Sequence, residues 1–167
     1  MFIAHLPAGY LAARGAERCG VRLRGLMAAC LMGSIAPDLD LLYFYLVDSC
    51  RHHHHSYASH WPSLWLVVLG TALLLLAWRR ARWCILLVAF AACGVLHIAM
   101  DGVVGDIQLL APWSHEYFAL ATVPARYKPW WLNFFLHWSM GIELLICAFA
   151  AVCFLARRSR RHNRPTS

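Results

Sequence analysis

Acidic and histidine residues are concentrated in one stretch of an otherwise apolar sequence. Residues 34–62, SIAPDLDLLYFYLVDSCRHHHHSYASHWP, contain three acidic residues and five of the ten histidines, in a chain that is 61% hydrophobic. Carboxylates and imidazoles beside apolar runs are costly unless a partner compensates them, and a divalent metal ion is such a partner. We therefore predict that this stretch supplies half of a metal site, with HIAMD at residues 97–101 as the other half.

The first acidic pair follows a proline inside an apolar run. Pro37 removes a backbone donor and disfavours helix at Ala36, and Asp38 and Asp40 come directly after it. A helix broken within a membrane is tolerated where the freed backbone is buried in protein or lines a wet cavity. The break therefore predicts a cavity with both carboxylates in the first turn of a new helix. A simple proline kink with a capping aspartate is the alternative.

The histidine tract, residues 52–55, is followed by His60. Tracts rich in histidine are typical of metal binding, but four consecutive imidazoles cannot all bind one ion. We favour His55 and His60 as ligands. One of His52 to His54 could act as a proton shuttle, because imidazole titrates near neutral pH. A solvated polar loop is the alternative interpretation.

In HIAMD, His97 and Asp101 are four residues apart and would project from one face of a helix. This spacing suits two ligands of one metal, or a ligand and the carboxylate that orients a neighbouring imidazole; a hydrogen-bonded pair in the core is the alternative. Histidine with carboxylate favours zinc, manganese or iron over magnesium or calcium. The seven cysteines show no CxxC spacing, and only Cys50 lies next to the histidines.

Four other ionisable residues are ambiguous. His137 and Glu143 lie in the last apolar run, so both should face the interior of a helical bundle. Glu143 could orient a ligand, act as a general base or form a structural interhelical hydrogen bond. His115 and Glu116 are expected to be exposed loop residues.

The apolar runs that must position these residues predict an all-α, multi-pass membrane bundle. About four transmembrane helices are expected, over residues 25–47, 62–78, 82–100 and 130–156. Residues 1–13 are too short to span and predict a re-entrant or interfacial segment. Residues 48–60 should lie outside the bilayer, and residues 102–129 should form an irregular, aromatic-rich connection along its interface. The chain then forms one helical membrane domain, residues 1–156, and a basic, disordered cytoplasmic tail, residues 157–167.

The net charge of +7 comes mainly from arginine clusters at residues 14–24, 79–82 and 157–164. Short arginine clusters that border apolar spans are typical of cytoplasmic loops, and they do not indicate nucleic-acid binding. With all three clusters on the cytoplasmic side, four crossings bring the histidine tract and the end of HIAMD to the opposite face. Both predicted halves of the metal site therefore share one side of the membrane.

These motifs resemble the membrane-bound metal-dependent hydrolases, which are small bacterial inner-membrane proteins. The similarity covers residues 1–112 and rests on AHLPAGY, PDLD, HHHHSYASHWP and HIAMD, in that order. His5 by itself would be read as a structural interfacial histidine, and the resemblance turns it into a candidate ligand. The resemblance implies the metal ligands His5, Asp38, Asp40, His55, His60, His97 and Asp101.

The same family is similar in motif layout to the zinc-dependent phospholipase C group, which implies phosphoester hydrolysis. We expect a divalent metal, zinc first and manganese or iron as alternatives, to activate a water, with Asp40 or Asp101 as general base. The substrate would be a phospholipid or another amphiphile from the membrane. Two alternatives remain: a metal-binding or metal-transport membrane protein without hydrolysis, and a structural membrane subunit.

Overall fold

The computed structural model describes residues 3–49 and 51–162, and within them it is a helical bundle, as predicted. Its helices are α1 (His5–Arg18), α2 (Leu26–Ile35), α3 (Asp40–Leu46), α4 (Pro62–Arg79), α5 (Arg82–Asp101), α6 (Trp130–Phe135) and α7 (Trp138–His162). Single 3-10 turns at Pro37–Leu39, His54–Ser56 and Ala58–His60 connect them.

Three helices are long and apolar enough to cross a membrane: α4, α5 and α7. The segments on either side of Pro37 form a fourth crossing if they are counted as one span, bent by 55°. The prediction of about four spans with a break at Pro37 is therefore confirmed. Proline accounts for the break because it cannot donate the backbone hydrogen bond that would continue α2.

Three boundaries differ from the prediction. The last span begins at Trp138, because α6 ends at Phe135 and a short turn containing His137 separates the two helices. Helix α1 continues through Arg14 to Arg18, so the first arginines lie on a helix and not in a loop. Of the predicted basic tail, residues 157–162 continue α7, and residues 163–167 lie outside the described residues.

Helix α5 lies between α2 and α4, and small residues allow the close approach. A Cβ atom at Gly33 in α2 would overlap the backbone carbonyl of Phe90, and one at Gly94 in α5 would overlap the ring of Trp65 in α4. Close packing through small residues is how membrane helices associate when lipid is as apolar as their side chains. This packing places His97 of α5 beside Ser34 of α2.

The candidate ligands all come from one end of the bundle. His5 is the first residue of α1, Asp40 is the first residue of α3, and Asp101 is the last residue of α5. Residues 102–129 contain no helix in the described structure, as predicted, and they return towards the cluster at Gly105. Helix ends and tight turns thus gather polar groups from positions almost one hundred residues apart.

Candidate metal centre

Imidazoles and carboxylates from five segments converge at this end of the bundle. Three overlapping sets could each hold a metal ion: His54, His55 and His60; His5, His97 and Asp101; and Asp38, His60 and His97. Within each set, one ligand atom from each residue lies within 4.8 Å of the others. Because the sets share His60 and His97, they form one contiguous group. We call this group the histidine–carboxylate cluster: His5, Asp38, His54, His55, His60, His97 and Asp101.

The centre of the cluster has spacings compatible with coordination of one ion. Nε2 of His60 lies 3.5 Å from Oδ1 of Asp38 and 3.8 Å from Oδ2 of Asp101. Nε2 of His97 lies 3.6 Å and 2.9 Å from the same two oxygens. Ligand atoms about 2.1 Å from a tetrahedral zinc ion are about 3.4 Å from one another. The four measured distances lie on both sides of that value.

Hydrogen bonds at the far side of each ring determine which nitrogen faces the cluster. Nδ1 of His97 donates to the backbone oxygen of Ser34 at 2.7 Å, and Nδ1 of His55 donates to the backbone oxygen of Gly105. Carbonyl oxygens only accept hydrogen bonds, so both Nδ1 atoms carry the proton. The Nε2 atoms then face the cluster, as they do in metal-binding imidazoles.

His60 is oriented in the same way by a carboxylate. Its Nδ1 lies 2.7 Å from Oδ2 of Asp40, and the hydroxyl of Ser59 donates to that oxygen at 2.5 Å. A carboxylate behind a histidine ligand fixes the ring and increases its basicity. Asp40 was predicted as a ligand and as a general base; the metal-binding sets of the described residues do not include it, and its observed contact is with the outer nitrogen of His60.

Burial leaves the inward-facing nitrogens of the two central imidazoles without a hydrogen bond to the described residues. The side chains of His60 and His97 are 0% exposed, and their Nε2 atoms form no hydrogen bond with any described residue. Both nitrogens instead face the carboxylate oxygens of Asp38 and Asp101. A buried group of this kind is stabilised by positive charge, which protons on the imidazoles or a bound metal ion supply. The donor set, imidazole nitrogen with carboxylate oxygen, could hold a divalent metal ion.

His5 joins the cluster through Asp101. Its Nε2 lies 3.1 Å from Oδ1 of Asp101, and its ring stacks on that of His97 with centroids 3.7 Å apart. Glu143 of α7 holds the start of α1, because its Oε2 accepts hydrogen bonds from the backbone N–H groups of Ile3 at 2.7 Å and Ala4 at 3.3 Å. Sequence reasoning left the role of Glu143 open, and the structure shows an interhelical hydrogen bond that positions His5.

The histidine tract divides into members inside and outside the cluster. Nε2 of His55 lies 3.9 Å from Oδ2 of Asp101, and burial lowers the pKa of His55 to about 3 although Asp101 acts in the opposite direction. Burial, with the charges of His60 and His53, lowers the pKa of His54 to about 4. Both imidazoles are therefore neutral at pH 7. His52 is exposed and pairs with Asp48 instead, at 2.8 Å.

The cluster opens to the outside at Asp38. The side chain of Asp38 is 32% exposed, whereas that of Asp101 is 3% exposed. Large apolar residues flank Asp38 in sequence, and three of them are exposed: Ile35, Leu39 and Leu42. Asp38 is thus a partly exposed carboxylate in a segment that also exposes apolar side chains, which suit contact with lipid.

The other residues that the sequence analysis considered as candidates lie outside the cluster. His115 and Glu116 are exposed, as predicted, and His115 contacts Gln108 at 3.2 Å. His137 contacts Ser139. The metal-binding sets found among the described residues include no cysteine, and Cys50 lies outside the described residues.

Neither a search of curated proteins nor a search of solved structures found a significant match. A family model described as YdjM inner membrane protein matches residues 1–163. This match agrees with the apolar helices in assigning the protein to an inner membrane. Because it spans nearly the whole chain, the protein belongs to the YdjM inner membrane protein family.

Proposed function

We propose that this protein is an inner-membrane, metal-dependent hydrolase that acts on a phosphoester or another amphiphilic membrane substrate. One observation carries the proposal: buried imidazole and carboxylate groups from distant segments turn their ligand atoms towards one another, with their outer nitrogens already bonded. Preorganised buried donors of this kind are costly to maintain, so they favour a functional site over a structural one.

The central ligands in this proposal are Asp38, His60, His97 and Asp101, with His5 and His55 at the edges of the cluster. Asp40 acts as a positioning residue, because it holds the outer nitrogen of His60. A bound divalent ion, zinc first, would supply a Lewis acid that lowers the pKa of a water from 15.7 to about 7.

The chain supplies the groups that handle protons. Of the two carboxylates predicted as general base, Asp101 is favoured: its Oδ2 would bind the ion, whereas its Oδ1 faces His5 and stays available for a proton. Nε2 of His5 lies 3.1 Å from Oδ1 of Asp101, so a proton taken up by this carboxylate can move to that ring. Burial of both side chains excludes bulk water from this pair.

The opening at Asp38 supports a substrate that arrives from the membrane. Ile35, Leu39 and Leu42 flank Asp38 in sequence and are exposed, so the segment that carries this carboxylate can lie against lipid. An amphiphile can place its acyl chains along these residues while its polar group reaches Asp38. This arrangement supports membrane lipids as the substrate class.

The cluster should face away from the cytoplasm. Arginines at the α1–α2 connection, at the α4–α5 turn and near the end of α7 lie at the end of the bundle opposite the cluster. The positive-inside rule favours a cytoplasmic location for that end. A reporter that works only in the cytoplasm should therefore be active when it is fused to the C-terminus, and one that works only in the periplasm should be inactive there. The opposite result would show that the cluster faces the cytoplasm.

A second function, metal binding or transport without hydrolysis, is favoured by the set of three histidines. His54, His55 and His60 offer imidazole nitrogens without a carboxylate, next to an exposed tract. Sites made of neutral imidazoles alone are suited to exchangeable binding of transition metals. In this case metal binding would depend on His54 and would be indifferent to Asp38.

The test is to purify the full chain, measure bound metal by elemental analysis and assay hydrolysis of a panel of phospholipids. The hydrolase proposal predicts about one or more ions per chain, lipid hydrolysis that stops after chelation, and loss of both in His97→Ala. His115→Ala is the matched control, since His115 is an exposed imidazole outside the cluster. Full hydrolysis after chelation would exclude the mechanism, and bound metal without hydrolysis would favour the second function.

A further inference from the structure

A second group of charged residues lies at the opposite end of the bundle from the histidine–carboxylate cluster. The C-terminal halves of α1 and α7, with the connection that follows α1, enclose a cleft of about 1040 Å³. Five arginines line it: Arg14, Arg18, Arg22, Arg157 and Arg160. We call this group, together with Glu17, the arginine cleft. Arginines that lie about 140 residues apart in sequence are thus neighbours in the fold.

The arginines of the cleft carry more positive charge than its acidic residue can neutralise. Glu17 is its single acidic residue, so five guanidinium groups against one carboxylate leave a net charge of +4. Arg14 and Arg157 both donate to the same oxygen, Oε2 of Glu17, at 2.5 Å and 2.6 Å. Burial acts to raise the pKa of Glu17, but the hydrogen bonds from Arg157 and Arg14 lower it, so the carboxylate stays ionised.

Several donors in the cleft have no partner in the described part of the chain. Arg18, Arg22 and Arg160 form no ion pair with any described residue. Nε of Arg14 is buried and donates to none of the described residues. Like charges gathered between two helices repel one another unless an anion lies among them, and guanidinium groups bind phosphate oxygens in fixed, bidentate geometry.

The position of the cleft selects an anion attached to lipid. Its wall includes Val152 and Ala156 of α7, which belong to a helix suited to span the membrane. On the same helix, Phe149 and Leu155 are 56% and 60% exposed and can lie against acyl chains. The cleft therefore has guanidinium groups at the end of a span and an apolar surface leading away from them, as expected for a headgroup site at a membrane surface.

We propose that the arginine cleft binds the phosphate headgroup of an anionic phospholipid, at a site separate from the histidine–carboxylate cluster. The phosphate, with one negative charge, lies among Arg18, Arg22 and Arg160, lowers the net charge of the cleft from +4 to +3, and joins α1 to α7 at the end where the Glu17 ion pairs connect them. This function does not depend on hydrolysis, because no residue of the cleft belongs to the cluster.

The test measures lipid binding to the detergent-purified full chain by native mass spectrometry, with phosphatidylglycerol and phosphatidylcholine of identical acyl chains. Phosphatidylglycerol should bind the wild type at least about tenfold more tightly. Arg18→Gln combined with Arg160→Gln should weaken phosphatidylglycerol binding about 30-fold, since each arginine near an anionic headgroup contributes about a fivefold factor. These arginines form no ion pair with described residues, so their replacement breaks no ion pair of the described structure.

The matched control is Arg80→Gln combined with Arg82→Gln, which removes the same charge at the α4–α5 turn, outside the cleft. It should leave phosphatidylglycerol binding within about twofold of wild type. If both double variants weakened binding equally, the effect would come from general surface charge, and the proposal would be overturned. Equal affinity of the wild type for the two lipids would overturn it as well.

A separate arm distinguishes a lipid from a free anion. Inorganic phosphate added at a hundredfold excess over lipid should not displace phosphatidylglycerol, because the acyl chains also contribute to binding. Displacement at that excess would identify a site for free phosphate and overturn the lipid assignment. If the double variant fails to fold, Arg22→Gln alone should still weaken binding about fivefold, and an unchanged affinity would overturn the proposal.

Discussion

The histidine–carboxylate cluster and the arginine cleft are built from the same kind of material, ionisable side chains that lie far apart in sequence. Their surroundings differ. His60, His97 and Asp101 in the cluster are almost fully buried, and the outer nitrogens of the two rings are bonded to Asp40 and Ser34. In the cleft, Arg18, Arg22 and Arg160 are exposed. Burial fixes the position and direction of each ligand atom, whereas exposure leaves long side chains free to adapt to a headgroup.

This difference predicts two kinds of binding. The cluster should select one cation by geometry and hold it with little dependence on salt, because buried charges are weakly screened. The cleft should select anions by charge and lose affinity as the salt concentration rises, because exposed charges are strongly screened. The following substitutions test the contrast, in order of expected effect.

The largest effect is expected for Asp38→Asn. Oδ1 of Asp38 lies 3.5 Å and 3.6 Å from the two central imidazole nitrogens, and the amide removes the negative charge that a cation needs there. We expect metal affinity to fall more than about 100-fold, measured by elemental analysis after dialysis against a competing chelator. Asp48→Asn is the matched control: Asp48 pairs with exposed His52 outside the cluster, and the variant should keep its metal. Retention of metal by Asp38→Asn would favour the second function.

A smaller effect is expected for Asp40→Asn, which keeps the shape of the residue and removes the acceptor charge behind His60. Loss of such an outer partner typically weakens metal binding about 10- to 100-fold. The same titration should show weaker metal binding in Asp40→Asn than in wild type but tighter binding than in Asp38→Asn. If both variants lost metal equally, Asp40 would act as a ligand, as the sequence predicted.

Gly105→Ala should perturb the cluster through its packing alone. A Cβ at this position would lie 2.7 Å from the backbone oxygen of Asp101 and 2.8 Å from Cε1 of His55, so one of them must move. We expect metal affinity to fall about tenfold. Gly70→Ala is the matched control, because nothing lies within 4 Å of an added Cβ there. Unchanged metal affinity in Gly105→Ala would indicate that His55 is not a ligand.

The smallest effect, and the opposite sign, is expected for Glu17→Gln in the cleft. Removing this carboxylate raises the net charge of the cleft from +4 to +5. Binding of phosphatidylglycerol should tighten about fivefold at low salt, and the gain should disappear in about 1 M NaCl, where the Debye length is about 3 Å. Metal content should not change. Weaker lipid binding would mean that Glu17 serves mainly to position Arg14 and Arg157.

Much of the architecture was predictable because hydrophobic runs, prolines and arginine clusters are local signals. The spans at α4 and α5 were predicted within one residue of their observed ends, and Pro37 marked the break between α2 and α3. The start of α7 was predicted wrongly, since the aromatic residues at 130–135 are as apolar as a span yet form a separate helix. The continuation of α1 through Arg14 was also missed, because arginine is a good helix former as well as a loop marker.

By itself, the sequence determined which residues could bind a metal, since residue type and spacing decide donor chemistry. Only the tertiary structure decided their arrangement: that Asp40 lies behind His60, that Glu143 holds the start of α1, and that arginines from both ends of the chain share one cleft. The physical reason is that such contacts depend on how helices pack. Packing is set here by close approach at Gly33 and Gly94, a property of pairs of helices that no single segment encodes.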